Sequence, residues 1–273
     1  MKDVPPHPLV AQCFSQAAPT YDSAALLQRG IAERLLALSR RHMPLPGHDH
    51  VWADLGCGTG YLTRRLQGLH EGTLLGIDLS YAMVSHARPR CLSQVQWIQA
   101  NAIALPFAAN SVDRLFSNLA LQWAGDLDVV LACLFNVLKP GGWLAMTTLD
   151  ANTLYEFNHV QRLAGGHDPG HRFATAAAIS SSVCRSGFRI HAHLQQDFVR
   201  FYPSVHSLMR DLKRLGAQSR SSAPSGGLKG RHWLRALEHH SQSVLRPEGM
   251  PARYATHFLI LQKPLGASEQ ELS

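Results

Sequence analysis

No stretch of this 273-residue chain approaches the ~20 consecutive apolar residues of a bilayer crossing, so no membrane-spanning helix is expected. Met1 to Gln12 lacks the apolar centre of a secretory leader. Cysteine is sparse and odd in number: Cys13, Cys57, Cys91, Cys133 and Cys184 form no C-x-x-C pair. That spacing argues against a zinc pair and a disulfide framework, and for a reducing, cytoplasmic compartment. Histidine is plentiful at 16, yet no H-E-x-x-H arrangement occurs and no metal is expected. Acids are also in short supply, 19 against 26 Lys and Arg, which leaves a net charge of +7.

The imbalance is local. Residues 1–150 are neutral, and the whole excess falls after them. Between 200 and 235, Arg200, Arg210, Lys213, Arg214, Arg220, Lys229, Arg231 and Arg235 face a single acid, Asp211. Such a surface suits an anionic partner, with nucleic acid or a merely solvated helix face as the alternatives. A hydrophobic content of 45% is enough for one large core with an extension.

What is present is most telling at Val51-Trp52-Ala53-Asp54-Leu55-Gly56-Cys57-Gly58-Thr59-Gly60. An apolar strand runs into an acid and three alternate glycines, and the spacing predicts a helix over Tyr61–His70. Glycines there let the backbone approach a ligand closely. Asp54, two residues before Gly56, is suited to accept hydrogen bonds from an ammonium group. A dinucleotide fingerprint needs a sixth-position glycine, where this chain has Tyr61, so a cationic amino-acid cofactor fits better than NAD. The run resembles motif I of class I S-adenosylmethionine methyltransferases.

Three downstream segments agree. Leu74-Leu75-Gly76-Ile77-Asp78-Leu79-Ser80 ends a second strand in an acid placed for ribose hydroxyls, with Met83 on the next helix for the adenine face. Ala100-Asn101-Ala102 follows, where the resemblance implies an Asp accepting from the adenine amino group; an Asn carbonyl can still accept there. Leu138-Lys139-Pro140-Gly141-Gly142 then opens a fifth strand, Trp143–Thr148. Cys57, Gly60, Leu79, Ala102, Asn118 and Leu119 complete the expected cofactor set.

Alternating strands and helices imply an α/β fold with a parallel sheet, and the resemblance implies a Rossmann-like, seven-stranded, mostly parallel sheet with a helical lid inserted before the last strand. Residues 1–47 form a helical extension (helix about Ser23–Arg41), 48–201 the core, 202–251 the basic lid and 252–273 the last strand with a tail. A helix is expected over Ala174–Ser186 and strands over Phe188–Phe201 and Ala255–Gln262. The lid carries helices over Val205–Leu215 and about Gly230–Leu245, joined by a Ser/Gly-rich loop, Ser219–Gly227. An insertion of that length suggests function.

The segment Ser117-Asn118-Leu119-Ala120-Leu121-Gln122-Trp123 has no proline, unlike the run with which base N-methylating enzymes grip a flipped base. Over nearly its whole length the chain resembles the malonyl-[acyl-carrier protein] O-methyltransferases, which open pimelate assembly in biotin synthesis. The likeness rests on Phe14, Ala17, Ala18 and Tyr21, on Leu27-Gln28-Arg29, and on Ser117 to Trp123. It continues through Thr147-Thr148-Leu149, His171-Arg172-Phe173, Met209-Arg210, Leu212-Lys213 and Gly216-Ala217. Asn101, and Arg253 before Tyr254, depart from the family pattern.

The resemblance implies methyl transfer from S-adenosylmethionine to the free carboxylate of a malonyl thioester. A carboxylate is ionised at neutral pH, with a pKa of ~4, so no general base is expected and no catalytic residue is assigned. Arg172 is the first candidate to hold the carboxylate, then Arg210 and Lys213. Tyr21, Gln122 and Trp123 are placed around the methyl group and acyl arm. The basic lid is then a dock for an acidic, malonyl-loaded acyl carrier protein. The rivals are a quinone-type C-methyltransferase, an RNA methyltransferase, and a silent assembly subunit with this fold.

Overall fold

The computed structural model describes residues 7–45, 47, 49–165, 173–217 and 228–265. Its sheet comprises β1 (Val51–Leu55), β2 (Thr73–Asp78), β3 (Val95–Gln99), β4 (Val112–Asn118), β5 (Leu138–Leu149), β6 (Arg189–Tyr202) and β7 (Met250–Gln262). The strand order is β3-β2-β1-β4-β5-β7-β6. Neighbours among β1 to β5 pair in parallel, and β7 runs antiparallel to both β5 and β6. This is the α/β, mostly parallel sheet expected.

Helices α1 (His7–Ala17), α2 (Tyr21–Ala24) and α3 (Leu26–His42) precede the sheet. Within it lie α4 (Tyr61–Gln67), α5 (Tyr81–Ala87) and α6 (Leu127–Val137). Then α7 (Tyr155–Leu163) and α8 (Ala176–Arg185) join β5 to β6, while α9 (Val205–Arg214) and α10 (Leu228–Ser241) lie between β6 and β7.

The period of two along β4 shows how the layers form. Leu115 packs with Leu131 and Leu134 of α6 and Val183 of α8, whereas Phe116 packs with Leu35 and Leu36 of α3 and Leu62 and Leu66 of α4. Burying each such side chain contributes about 2 kcal/mol. On α3, Ile31, Leu35 and Leu38 recur at helical spacing and are buried.

Several boundaries differ from those expected, each for a local reason. The N-terminal helix is split at Ala25, and α1 precedes it, although only Val10 and Ala17 of α1 are buried apolar residues. The helix after motif I stops at Gln67, before Gly68. The fifth strand begins at Leu138; its pairing with β4 jumps from Val112↔Leu138 to Arg114↔Trp143, so Pro140 to Gly142 bulge out. A Cβ on Gly142 would stand 2.7 Å from the Lys139 carbonyl oxygen. The last strand starts at Met250, five residues early, with Pro251 in the stretch that pairs with β6 alone. Proline near the start of a strand is tolerated there.

The lid packs downward through Val205, Leu208 and Leu212 of α9 and Trp233 and Leu237 of α10. It also grips the N-terminal segment. Leu215 packs against Ala24 and Ala25, and Thr20 Oγ1 donates to the Arg214 carbonyl at 3.2 Å. Gly216 passes so close to α1 that a Cβ would stand 2.9 Å from the Cys13 carbonyl oxygen. No helix among the described residues is long and apolar enough to cross a membrane.

Candidate functional site

Two adjoining cavities open at the carboxyl ends of β1, β2 and β4, one of about 690 Å³ including open space and one of about 410 Å³. They share Tyr21, Gly56, Gly58 and Asn118. The loop after β1 hangs from the neighbouring strand, the amides of Gly56 and Cys57 both donating to the Ile77 carbonyl at 2.8 and 2.9 Å. Gly56 sits at φ +73°, and a Cβ on it would fall 2.1 Å from the Ala120 Cβ. Gly58, at φ +53°, has open space where a side chain would be, so its backbone is bare to the cavities. Gly60 lines neither cavity; at φ +83° it caps α4.

Two acids define the electrostatics. Asp78 accepts from the amides of Gly58 at 2.9 Å and Ser80 at 2.8 Å. Burial lifts its carboxyl to about 6 against these donors. Asp54 accepts from Thr63 Oγ1 at 2.6 Å through Oδ2, while its buried Oδ1 has no partner. Burial, with the Asp78 charge adding to it, lifts Asp54 to about 7. A cation in the cavities relieves both carboxylates. An orphaned acceptor, an uncovered glycine backbone and two destabilised anions therefore fit the ammonium and sulfonium charges of an S-adenosylmethionine-type cofactor.

The expected residues gather unevenly. Asp78, Leu79, Met83, Asn101, Ala102, Asn118 and Leu119 line the larger cavity with Gly56 and Gly58, and Asp54 and Cys57 line the smaller. Burial pushes the Cys57 thiol well above its usual range. Asn101 Oδ1 already accepts from the Ile103 amide at 3.2 Å in a local turn. Asn118 is riveted at both ends, donating to the Gln28 carbonyl at 3.0 Å and accepting from Thr147 Oγ1 at 2.8 Å.

Among the acyl-site candidates, Tyr21 lines both cavities, its phenol held above its usual range by burial and by the charges of Asp78 and Asp22. Trp123 lines the larger cavity between the ring edges of Phe14 at 5.6 Å and Phe173 at 5.9 Å. Gln122 stands behind it, donating to the Leu119 carbonyl at 2.8 Å. Arg210 and Lys213 are exposed on α9 and line neither cavity. Arg172 and the loop Ser219–Gly227 lie outside the described residues.

The structure adds residues to the site that periodicity did not suggest. Val10 and Phe14 of α1 roof the larger cavity, and Asp22, Gln28, Arg29, Thr59 and Tyr61 line the smaller. Asp22 ties this wall together, accepting from Thr59 Oγ1 at 2.7 Å and pairing with Arg29 at 3.1 Å. Only Phe14 and the run Leu27-Gln28-Arg29 carried a hint, through the resemblance.

Residues 53–146 match the family described as a methyltransferase domain. The chain is 35% identical over 247 residues to malonyl-[acyl-carrier protein] O-methyltransferase of Hahella chejuensis, covering 90% of this chain and 86% of that protein. It is 32% identical over 271 residues to the biotin biosynthesis bifunctional protein BioHC of Teredinibacter turnerae, covering 95% of this chain and 47% of that protein. The chain thus spans about half the length of the bifunctional relatives it matches. The solved structure of the YcgJ protein from Bacillus subtilis shares the fold, with a TM-score of 0.60 at 18% identity over 85% of this chain and 98% of that one.

Proposed function

The chain belongs to the malonyl-[acyl-carrier protein] O-methyltransferase family, and from that premise we propose that it methylates the free carboxylate of a malonyl thioester on an acyl carrier protein, making the ester that primes pimelate assembly for biotin. S-adenosylmethionine, when bound, supplies an electrophilic methyl group. The observation that carries the reading is the junction of the two cavities at Tyr21 and Gly58, with buried Asp54 lining the smaller and half-buried Asp78 lining the larger together with Phe14, Leu119 and Trp123.

A malonyl carboxylate needs no proton removed at neutral pH, with a pKa of ~4. The residues' work is then alignment and exclusion of water. Phe14 and Trp123 dry the approach. The Tyr21 phenol, kept protonated by its surroundings, donates to one carboxylate oxygen and leaves the other to attack. Desolvating that anion is costly without a cation. Arg172 is the proposed one, supported by its neighbour Phe173, which meets Trp123 edge-on. Arg210, Lys213 and Arg214 on α9 and Arg231 and Arg235 on α10 are exposed, which supports docking of an acidic carrier on the lid.

The test is mass spectrometry of malonyl-loaded carrier incubated with chain and cofactor. One methyl in place of one proton is expected, lost in Arg172→Ala while calorimetric cofactor affinity persists. An unmodified carrier beside a methylated neutral or nucleic-acid acceptor overturns the proposal.

A further inference from the structure

Leu119, just past the end of β4 on the wall of the larger cavity, has a left-handed backbone at φ +52°. Leucine ordinarily avoids that conformation; a chain that needs only to turn uses glycine, or asparagine as at Asn110, φ +56°. Side chains hold the strained residue in place. Its amide donates to Thr147 Oγ1 at 2.9 Å, that hydroxyl donates to Asn118 Oδ1 at 2.8 Å, and Gln122 Nε2 donates to the Leu119 carbonyl at 2.8 Å. Thr147 is fully buried, so the pin is anchored in the sheet. Strain that several neighbours enforce collects at functional positions.

Its position says which function. Leu119 is half-buried, lines the larger cavity with Tyr21 and Trp123, and packs against the apolar cluster beneath the lid, which holds Leu208 and Leu212 of α9. Among the described residues it is the one member that this cavity and this cluster share. Leu154 has the same backbone conformation, φ +55°, and packs against the cluster, but it lines neither cavity. An acceptor delivered at the lid meets the cofactor cavity at Leu119.

We propose that Leu119 is a specificity-determining residue, its side chain the apolar stop that fits the acyl arm of a malonyl thioester and rejects an arm one methylene longer. This rests on the malonyl reading and adds a gauge of acyl length to it. With the stop in place, an extra methylene carries the carboxylate past the methyl group. With the stop removed, that methylene has room to fold aside. One methylene in an apolar pocket is worth about 10–200-fold in discrimination.

The test is a competition between malonyl-loaded and succinyl-loaded carrier, mixed equally with the full chain and S-adenosylmethionine, each product weighed by mass spectrometry. The wild type is expected to favour malonyl at least about tenfold, and Leu119→Ala and Leu119→Gly to lower the product ratio at least about tenfold. Calorimetric binding of S-adenosylhomocysteine reports that the variants are folded. Leu119→Gly, freed of the left-handed strain, should melt no lower than Leu119→Ala, the reverse of their usual order. A ratio within about threefold of wild type in the folded variants, or a wild type that takes succinyl equally well, overturns the gauge. Leu119→Gly melting below Leu119→Ala overturns the strain it is built on. A wild type that methylates neither thioester overturns the malonyl reading beneath it.

Discussion

Asp54→Asn is expected to weaken cofactor binding while making the empty protein more stable at alkaline pH. An unfolded Asp ionises near its ordinary value of 3.8, but folded Asp54 holds its proton to about 7 because it is buried beside Asp78. Below pH 4 the group is protonated in both states and costs nothing. As pH rises from 4 to 7, the unfolded chain ionises first and stability is lost progressively. The displacement corresponds to about 4 kcal/mol in all, of which about 3 kcal/mol falls between pH 5 and 8.

Asparagine removes that loss, and its carbonyl can still accept from Thr63 Oγ1, now 2.6 Å from Oδ2. Its amide then replaces the orphaned Oδ1 and presents a donor to the ammonium. Urea unfolding without cofactor at pH 5 and pH 8 gives the comparison, and calorimetry gives the affinity. The variant's stability should fall about 3 kcal/mol less than the wild type's over that interval, with cofactor affinity at least about tenfold weaker. Parallel pH curves for the two proteins refute the reasoning, since Asp54 must then be ionised throughout. In the wild type, affinity should also decline as pH drops below about 7, because a protonated Asp54 has no charge to offer the cation.

Gly56→Ala forces a Cβ to within 2.1 Å of Ala120 at φ +73°, and a loss of about 2–4 kcal/mol should appear as a lowered Tm. Tyr21→Phe is expected to lower kcat about 10–100-fold with cofactor affinity unchanged; an unaltered kcat assigns the ring to packing alone. Asp150→Ala strips the partner from His257 Nε2 at 3.0 Å, a ring only 1% exposed, and should cost about 3 kcal/mol in urea unfolding. If the carrier docks on the lid, KM for malonyl-carrier should climb with salt while KM for malonyl-CoA moves less, because exposed charges are screened beyond ~8 Å at physiological ionic strength.

The parts of the site legible in sequence are those where one short segment supplies both geometry and chemistry. Asp54 with Gly56 and Gly58, and Asp78 at the end of β2, are carried to one spot by adjacent parallel strands, so a strand-end acid already implies its position. The alternation of strands and helices from Val51 to Thr148 announced the parallel part of the sheet, and the resemblance supplied its seven strands. Asn101 lines the larger cavity as its place in the sequence suggested, and its Oδ1, which has two lone pairs, also accepts from the Ile103 amide, a contact set by the backbone path of the turn.

Residues that meet across the fold were less legible still. Phe14 of α1 reaches Trp123 across the fold. Gly216 entered the sequence reading only through the resemblance, and only the packed structure shows that it admits α1 beside the lid. Arg210 and Lys213 are exposed on α9 and line neither cavity, and composition alone does not report burial.

By itself the order of residues determined the sheet, the glycine elbow, the two strand-end acids and the basic character of the insertion, because each follows from local periodicity or charge. Only tertiary structure decided which walls enclose the cavities, and that Leu119 stands between the larger one and the lid with its backbone held left-handed. A conformation pinned by Thr147 from the neighbouring strand is a property of how distant segments pack, and no single segment encodes it.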